Sequence, residues 1–322
     1  MDLIFNGGNT RRVDPVLTLA GLGVGIVVGL TGMGGGALMT PLLVLVFGIP
    51  PLAAVSSDLA ASAVMKPFGG WVHARRGTVN WPLVRWLCLG SVPAAFLGVL
   101  LTRALPDDAA VQHGIQVALG VALVLAAAGL VAKSVAAGRR ARTAGSETGP
   151  SPSIRVRPLP TVILGAAGGL VVGLTSVGSG SLIIVILLAL YPALRPNDLV
   201  GTDLVQAVPL VAAAATGHLF FGDLQFPLAG AILLGSIPGV LVGARLSSRA
   251  PADVVRAALI VVLIASALKL FGLPGAVVLG GVAAVAVVAA LTLVVLPRRA
   301  MRSAPPAAAV ESAVEATPIS AR

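Results

Sequence analysis

The chain has 322 residues, 57% of them hydrophobic and only 11% charged, with a mean hydropathy of +1.00. Soluble domains carry roughly 25% charged residues, so this chain lacks the charge to cover a water-exposed surface. The net charge of +10 does not indicate nucleic acid as a partner: Arg139, Arg140, Arg142, Arg155 and Arg157, then Arg298, Arg299 and Arg302, flank apolar runs as cytoplasmic loops do, and no aromatics for base stacking lie among them.

Residues 1–15 read as an N-terminal segment and not as a cleavable signal, because no small-residue cleavage site follows Arg11 and Arg12. Apolar segments follow at 16–30, 37–47, 53–72, 82–102 and 112–136, and these make up a first transmembrane repeat over 16–137. The stretch 138–159 is polar, basic and broken by Pro and Gly, and reads as a cytoplasmic linker. Segments at 160–175, 181–191, 199–218, 226–246 and 253–271 form a second repeat over 160–272. One further span is predicted over 273–296, and 297–322 is an Ala/Pro/Ser-rich cytoplasmic tail expected to be disordered. The fold class expected is therefore all-α: a polytopic, multi-pass helical protein of the inner (plasma) membrane, with the lipid bilayer as its surroundings.

The two repeats share residues as well as length. VVGLTGMGGGAL at 27–38 returns as VVGLTSVGSGSL at 171–182. At a shift of 144–145 residues, SSDL at 56–59 meets GTDL at 201–204, His73 meets His218, and GSVPAAFLG at 90–98 meets GSIPGVLVG at 235–243. Charge bears on orientation. The loop after 53–72 carries Arg75 and Arg76, whereas its counterpart at 218–225 has no Lys or Arg and contains Asp223. The loop after 82–102 sets Arg103 against Asp107 and Asp108, whereas its counterpart has Arg245 and Arg249 against Asp253. This switch of bias predicts two inverted repeats, an arrangement that five segments per half also produce. Arg11 and Arg12 would then lie outside, against the rule.

The first two segments of each half are short. Residues 37–47 span only about 16 Å as helix, half the hydrocarbon core, so a broken or re-entrant hairpin is expected. Its turn holds Thr31, Gly32, Gly34, Gly35 and Gly36 in the first half, and Thr175, Ser176, Gly178, Ser179 and Gly180 in the second. Clustered glycines oppose ordinary helix, each costing about 1 kcal/mol relative to Ala. Broken segments in matching positions of two halves point to a transporter binding site. The helix that starts after each turn offers free N–H groups and a positive dipole end to an anion. These ten residues are the expected substrate-binding set, and small-residue helix packing is the bland alternative.

Asp58 and Asp203 are the repeated acids, readable as helix caps or as relays for a coupling proton or cation. Lys66 sits inside an apolar segment and would add positive charge to an anion path. Its repeat counterpart is Val211, so the shared architecture does not require it. His218 and its repeat partner His73 fit either interfacial packing or a proton-linked gate. Gln206, one turn after Asp203, is a further donor. No Cys/His cluster has metal-site spacing, no Walker lysine follows the Gly-rich stretch, and no cofactor is expected. An enzyme alternative is an intramembrane serine hydrolase using Ser179 and His218. Against it, GSGS is not a G-x-S-x-G elbow, and Gly35 stands where the repeat would need its serine. A non-transporting membrane scaffold is the other alternative.

The duplicated Gly-rich motif with the SSDL that follows it resembles the sulfite exporter TauE/SafE family, also called the toluene sulfonate uptake permease family. The resemblance covers 16–136 and 160–271. It implies inner-membrane transport of sulfite, sulfonates and related organic anions. It places family motif positions at Gly32, Gly34, Gly35, Gly36 and Asp58, and at Gly178, Gly180 and Asp203. The expectation is thus a secondary transporter for a small anion, not an enzyme, working by alternating access as one half moves against the other.

Overall fold

The computed structural model describes residues 15–31, 36–104, 109–143, 154–178, 180, 182–192, 194, 196–221, 224–246 and 252–287. Ten helices follow in order: α1 (Pro15–Thr31), α2 (Gly36–Leu45), α3 (Pro51–Arg75), α4 (Trp81–Ala104), α5 (Ala109–Thr143), α6 (Pro158–Thr175), α7 (Leu182–Leu190), α8 (Pro196–Phe221), α9 (Phe226–Leu246) and α10 (Ala252–Leu270). An eleventh, α11, covers Gly275–Val287. The described regular structure is all helix, as a chain that must satisfy every backbone group within the bilayer requires.

Segments in α4, α5, α6, α8 and α9 are long and apolar enough to cross a membrane. The reason α3 falls outside that set is chemical. Ser56, Ser57, Asp58, Ser62 and Lys66 lower its hydropathy, and all five are buried, so α3 turns its polar residues inward. Its exposed residues include Val64, Phe68 and Trp71, and the Arg75 guanidinium stacks 4.3 Å over the Trp71 ring at the helix end. The helix α5 runs on into the stretch read as linker. Residues 138–143 continue α5, because Ala and Arg are strong helix formers and only one Gly interrupts them. The rest of the linker to 153 lies outside the described residues, as do residues 1–14, the end of the final segment beyond 287, and the tail.

The packing between helices is set by glycine. A Cβ at Gly98 of α4 would lie 2.9 Å from Leu170 O of α6, and one at Gly165 of α6 would lie 2.5 Å from Leu87 O of α4. Added Cβ atoms at Gly90, Gly169 and Gly173 would overlap backbone in the same seam. The pair α1/α9 repeats this contact by contact. A Cβ at Gly21 would sit 2.8 Å from Ile232 O, one at Gly25 would sit 2.5 Å from Ser236 O, and Gly235, Gly239 and Gly243 face Thr18, Leu22 and Ile26. The register follows the sequence repeat: Gly90 meets Val162 and Ala166, while Gly235 meets their counterparts Thr18 and Leu22. Both seams are parallel. Both join a helix of one sequence half to a helix of the other.

Three apolar clusters complete the architecture. One joins α2, α3 and α9, with Leu17 and Val24 of α1 against it. A second joins α4, α6, α7 and α8 and reaches Val55 and Leu59 of α3. A third joins α5 to α10. The first two are counterparts under the repeat, each containing one helix from the opposite half. They meet where α3 crosses α8. There Gly70 lies against Leu204, Val205 and Val208, and Asn80 N–H donates 3.0 Å to Thr202 Oγ1. Val55 and Leu59 in the first part of α3 share a cluster with Leu210, Val211 and Ala214 of α8, whereas Gly70 further along α3 lies against Leu204, Val205 and Val208, so these matched helices run antiparallel. By contrast α4 runs parallel to α8, with Gln206 bonded to Ser91 and Gly217 against Val99.

Backbone-to-backbone contact leaves no room for a methyl. Gly90→Ala and Gly235→Ala should each lower the melting temperature in detergent by an equivalent of about 1–3 kcal/mol. Gly230→Ala, where an added Cβ meets nothing within 4 Å, should be neutral or stabilising by up to about 1 kcal/mol. Equal losses at all three sites would contradict the seam.

Candidate functional site

The second-half Gly-rich turn is the tip of a hairpin between α6 and α7. α6 runs out to Thr175, and the chain then returns along it. Ile183, at the start of α7, packs against Gly168, and Tyr191, just past α7, reaches the entry of α6. There Tyr191 Oη accepts the Arg157 N–H at 2.9 Å and lies 2.6 Å from Thr161 Oγ1. This arrangement satisfies one of the free amides that precede a helix whose first turn contains proline. The α4/α6 register gives the depth. Gly169 lies against Ser91, near the middle of the 24-residue α4, so α7 begins close to the midpoint of a spanning helix. α7 has 9 residues and α2 has 10, so each covers about half a bilayer core.

Residues Thr175–Gly178 form a defined turn. Thr175 Oγ1 donates to Val171 O at 2.6 Å and accepts the Val177 N–H at 3.2 Å. Ser176 is left-handed (φ 59°, ψ −10°) and its N–H caps α6 on Val172 O at 2.7 Å. A non-glycine residue in that conformation costs about 1–2 kcal/mol. Gly178 follows at φ 114°, a region that side chains avoid. What holds Ser176 comes from the other half. Its Oγ donates to Asp58 Oδ2 at 2.6 Å, and Thr40 Oγ1 of α2 donates to the same oxygen at 2.9 Å. All three residues are buried. Asp58 is therefore no cap for its own helix, where it stands at the eighth position of α3.

Lys66 lies eight residues beyond Asp58, about 12 Å along α3, and is also buried. Its ammonium interacts electrostatically with Asp203 most strongly and then with Asp58. Because α3 and α8 are antiparallel, the two acids flank the level of Lys66 from opposite sides. The structure thus gathers Asp58, Asp203, Lys66 and Ser176 along one interface. His218 belongs to a different contact, with its Nε2 donating 3.2 Å to Gly173 O of α6. His73 pairs instead with Thr78, Nδ1 to Oγ1 at 2.9 Å, so the two repeated histidines do not share a partner type. Gln206 Nε2 donates to Ser91 Oγ at 2.6 Å, while its buried Oε1, like Ser57 Oγ, meets no hydrogen-bond partner among the described residues.

Of the expected turn residues, Gly32, Gly34, Gly35 and Ser179 lie outside the described residues, and Thr31 and Gly36 end α1 and begin α2. Ser179 of the expected Ser179/His218 pair is thus outside the described residues, and His218 Nε2 donates to Gly173 O. Thr40 and Ser91 escaped sequence reasoning. Thr40 is the one hydroxyl in α2 and Ser91 one of two in α4, and only the fold reveals their partners. Among the described residues, no group of three His, Cys, Asp or Glu side chains is placed to hold a metal ion.

The profile of the family described as "Sulfite exporter TauE/SafE" matches residues 17–270. The chain is similar to "Probable membrane transporter protein YjnA" of Bacillus subtilis (strain 168), 39% identical over 72% of this chain and 90% of the relative. It is also similar to "Probable membrane transporter protein YdhB" of the same organism, 28% identical over 73% and 91% respectively. A third relative there, "Probable membrane transporter protein YunE", is 37% identical over 26% of this chain and 29% of its own length. No solved structure matches the chain.

The Gln206–Ser91 bond yields a stability test. Ser91→Ala should cost about 1–3 kcal/mol by leaving the second polar end of a buried amide unpaired. Gln206→Leu removes the amide altogether and should cost less, read as a smaller drop in melting temperature. A larger loss for Gln206→Leu would contradict this account of the pair.

Proposed function

This chain is a membrane transporter belonging to the sulfite exporter TauE/SafE family, and from that premise we propose that it is a secondary transporter of a small organic or sulfur-containing anion such as sulfite or a sulfonate. The observation that carries the reading is the second-half hairpin, whose turn interrupts the helix and lets α7 begin near mid-depth. A helix start there turns free amides and a positive dipole end toward a buried anion. The first-half turn, Thr31 to Gly36, is the proposed counterpart, which completes the set with Thr175, Ser176, Gly178, Ser179 and Gly180. The proposed membrane is the inner (plasma) membrane, crossed several times.

We take the two halves to be inverted repeats. The antiparallel course of α3 and α8 supports this reading, as does the switch of charge bias between matched loops. Alternating access needs moving units, and the halves themselves make poor ones, since both glycine seams tie a helix of one half to the other. The units proposed are therefore α1–α3 with α9, and α6–α8 with α4, sliding along the α3/α8 face beside the α5/α10 pair. Lys66 and Asp203 lie on opposite sides of that face, as do Asp58 and Ser176, so charge and hydrogen bonding there respond to the motion. Inside-negative potential favours export of a monovalent anion by about 2.3 kcal/mol per 100 mV. Import would need a coupling proton or cation, for which Asp203, Asp58, Lys66 and His218 are the candidate residues.

Proteoliposomes containing the full chain should take up or release sulfite or a taurine-like sulfonate faster than empty vesicles. Gly35→Leu and Gly180→Leu should each cut that flux at least about tenfold, the loss expected when access to one good anion contact is blocked, while the protein still inserts. No flux across a broad anion panel, or wild-type flux in both variants, would overturn the proposal.

A further inference from the structure

The repeated acids sit in equivalent places and have unequal surroundings. Asp58 Oδ2 accepts hydroxyls from two other elements, Ser176 at 2.6 Å and Thr40 at 2.9 Å. The counterpart of Ser176 under the repeat is Gly32, which has no side chain, and the counterpart of Thr40 is Ile184 or Val185, depending on whether the shift is 144 or 145. The counterparts of these two donors therefore cannot supply the same pair of bonds to Asp203. Resting on the transport reading above, we propose that Asp58 is a positioning residue that acts through Ser176, holding the second-half turn in the conformation that meets the anion.

Three observations converge on this role. The bond is short and buried, and the same carboxyl oxygen accepts from a second hydroxyl as well. It ends on the one described non-glycine residue with positive φ, so it fixes a backbone conformation that serine does not choose by itself. And it crosses between the two proposed moving units, from α3 to the tip of the α6/α7 hairpin, while Thr40 steadies the same carboxylate oxygen from α2. The task asked of Asp58 is acceptance by one oxygen, and an amide oxygen can accept in the same way. The turn fixed in this way is the second one, which makes the two Gly-rich turns unequal partners. Asp203, whose charge interacts with Lys66 across the interface, is the acid that this proposal assigns to coupling.

Two measurements on the full-length protein test the inference. Hydrogen exchange read by mass spectrometry over residues 172–182 requires no knowledge of the substrate. Asp58→Ala and Ser176→Ala should each speed exchange at Val177 and Gly178 by about tenfold or more. The double variant should add nothing further, as expected for two ends of one interaction. Asp58→Asn should match the wild type. Additive effects, or an Asp58→Asn change as large as that of Asp58→Ala, would overturn the latch. In proteoliposomes with sulfite as probe, Asp58→Ala and Ser176→Ala should raise KM about tenfold with kcat largely kept, and Asp58→Asn should restore KM. Unchanged KM in both alanine variants would overturn the positioning role even if exchange changes. A wild-type chain that moves no sulfite or other anion would remove the transport reading, and the exchange comparison would still decide the latch.

Discussion

Close approach of backbones between the two sequence halves is the constraint on which the rest of this structure depends. Inside a bilayer, helices gain little from hiding apolar surface, because lipid tails are as apolar as leucine. What remains is van der Waals contact and interhelical hydrogen bonding, and both improve as backbones come closer. The α4/α6 and α1/α9 seams reach that limit, since most of their glycines could not gain a methyl without overlap. The seams are parallel, repeat each other in register, and trade one helix between the halves.

That exchange shapes the polar interface. With α4 and α9 committed to opposite halves, α3 and α8 are left to face each other, and these are the helices that carry the buried Asp58, Lys66 and Asp203. Polar groups here are costly unless partnered. The observed solution is a mixture of hydroxyls on Asp58, a lysine whose charge interacts with both acids, and an amide–hydroxyl pair at Gln206 and Ser91. The hairpin tip joins this set because α6 is held against α4, which aligns Gly169 with the middle of a full span and brings α7 in at mid-depth.

Much of this was legible in the sequence. The eleven apolar segments correspond to the eleven described helices, because hydrophobic runs punctuated by Gly and Pro mark membrane helices strongly. The repeated GSVP and GSIP stretches announced two equivalent helices, and both carry seam glycines. What the sequence did not disclose was which helices those glycines touch, since spacing records a face and not its partner. For the same reason Asp58 read as a cap or relay, when its partners Thr40 and Ser176 lie 18 and 118 residues away. The end of α5 was less legible, because Gly138 and the arginines after it suggest a loop, while the surrounding alanines carry the helix on to Thr143.

The central claim is that helix-exchanged units, and not sequence halves, move as bodies. Spin labels test it directly in a chain whose one cysteine, Cys88, has been replaced. Leu19 on α1, Ile163 on α6 and Leu234 on α9 are exposed and suitable for labelling. Pulsed electron resonance would compare two distances with and without sulfite: Leu19–Leu234, in different halves but one unit, and Ile163–Leu234, in one half but different units. The account predicts a constant Leu19–Leu234 distance and a shifted Ile163–Leu234 distance. A shifted Leu19–Leu234 distance with Ile163–Leu234 held constant would contradict it.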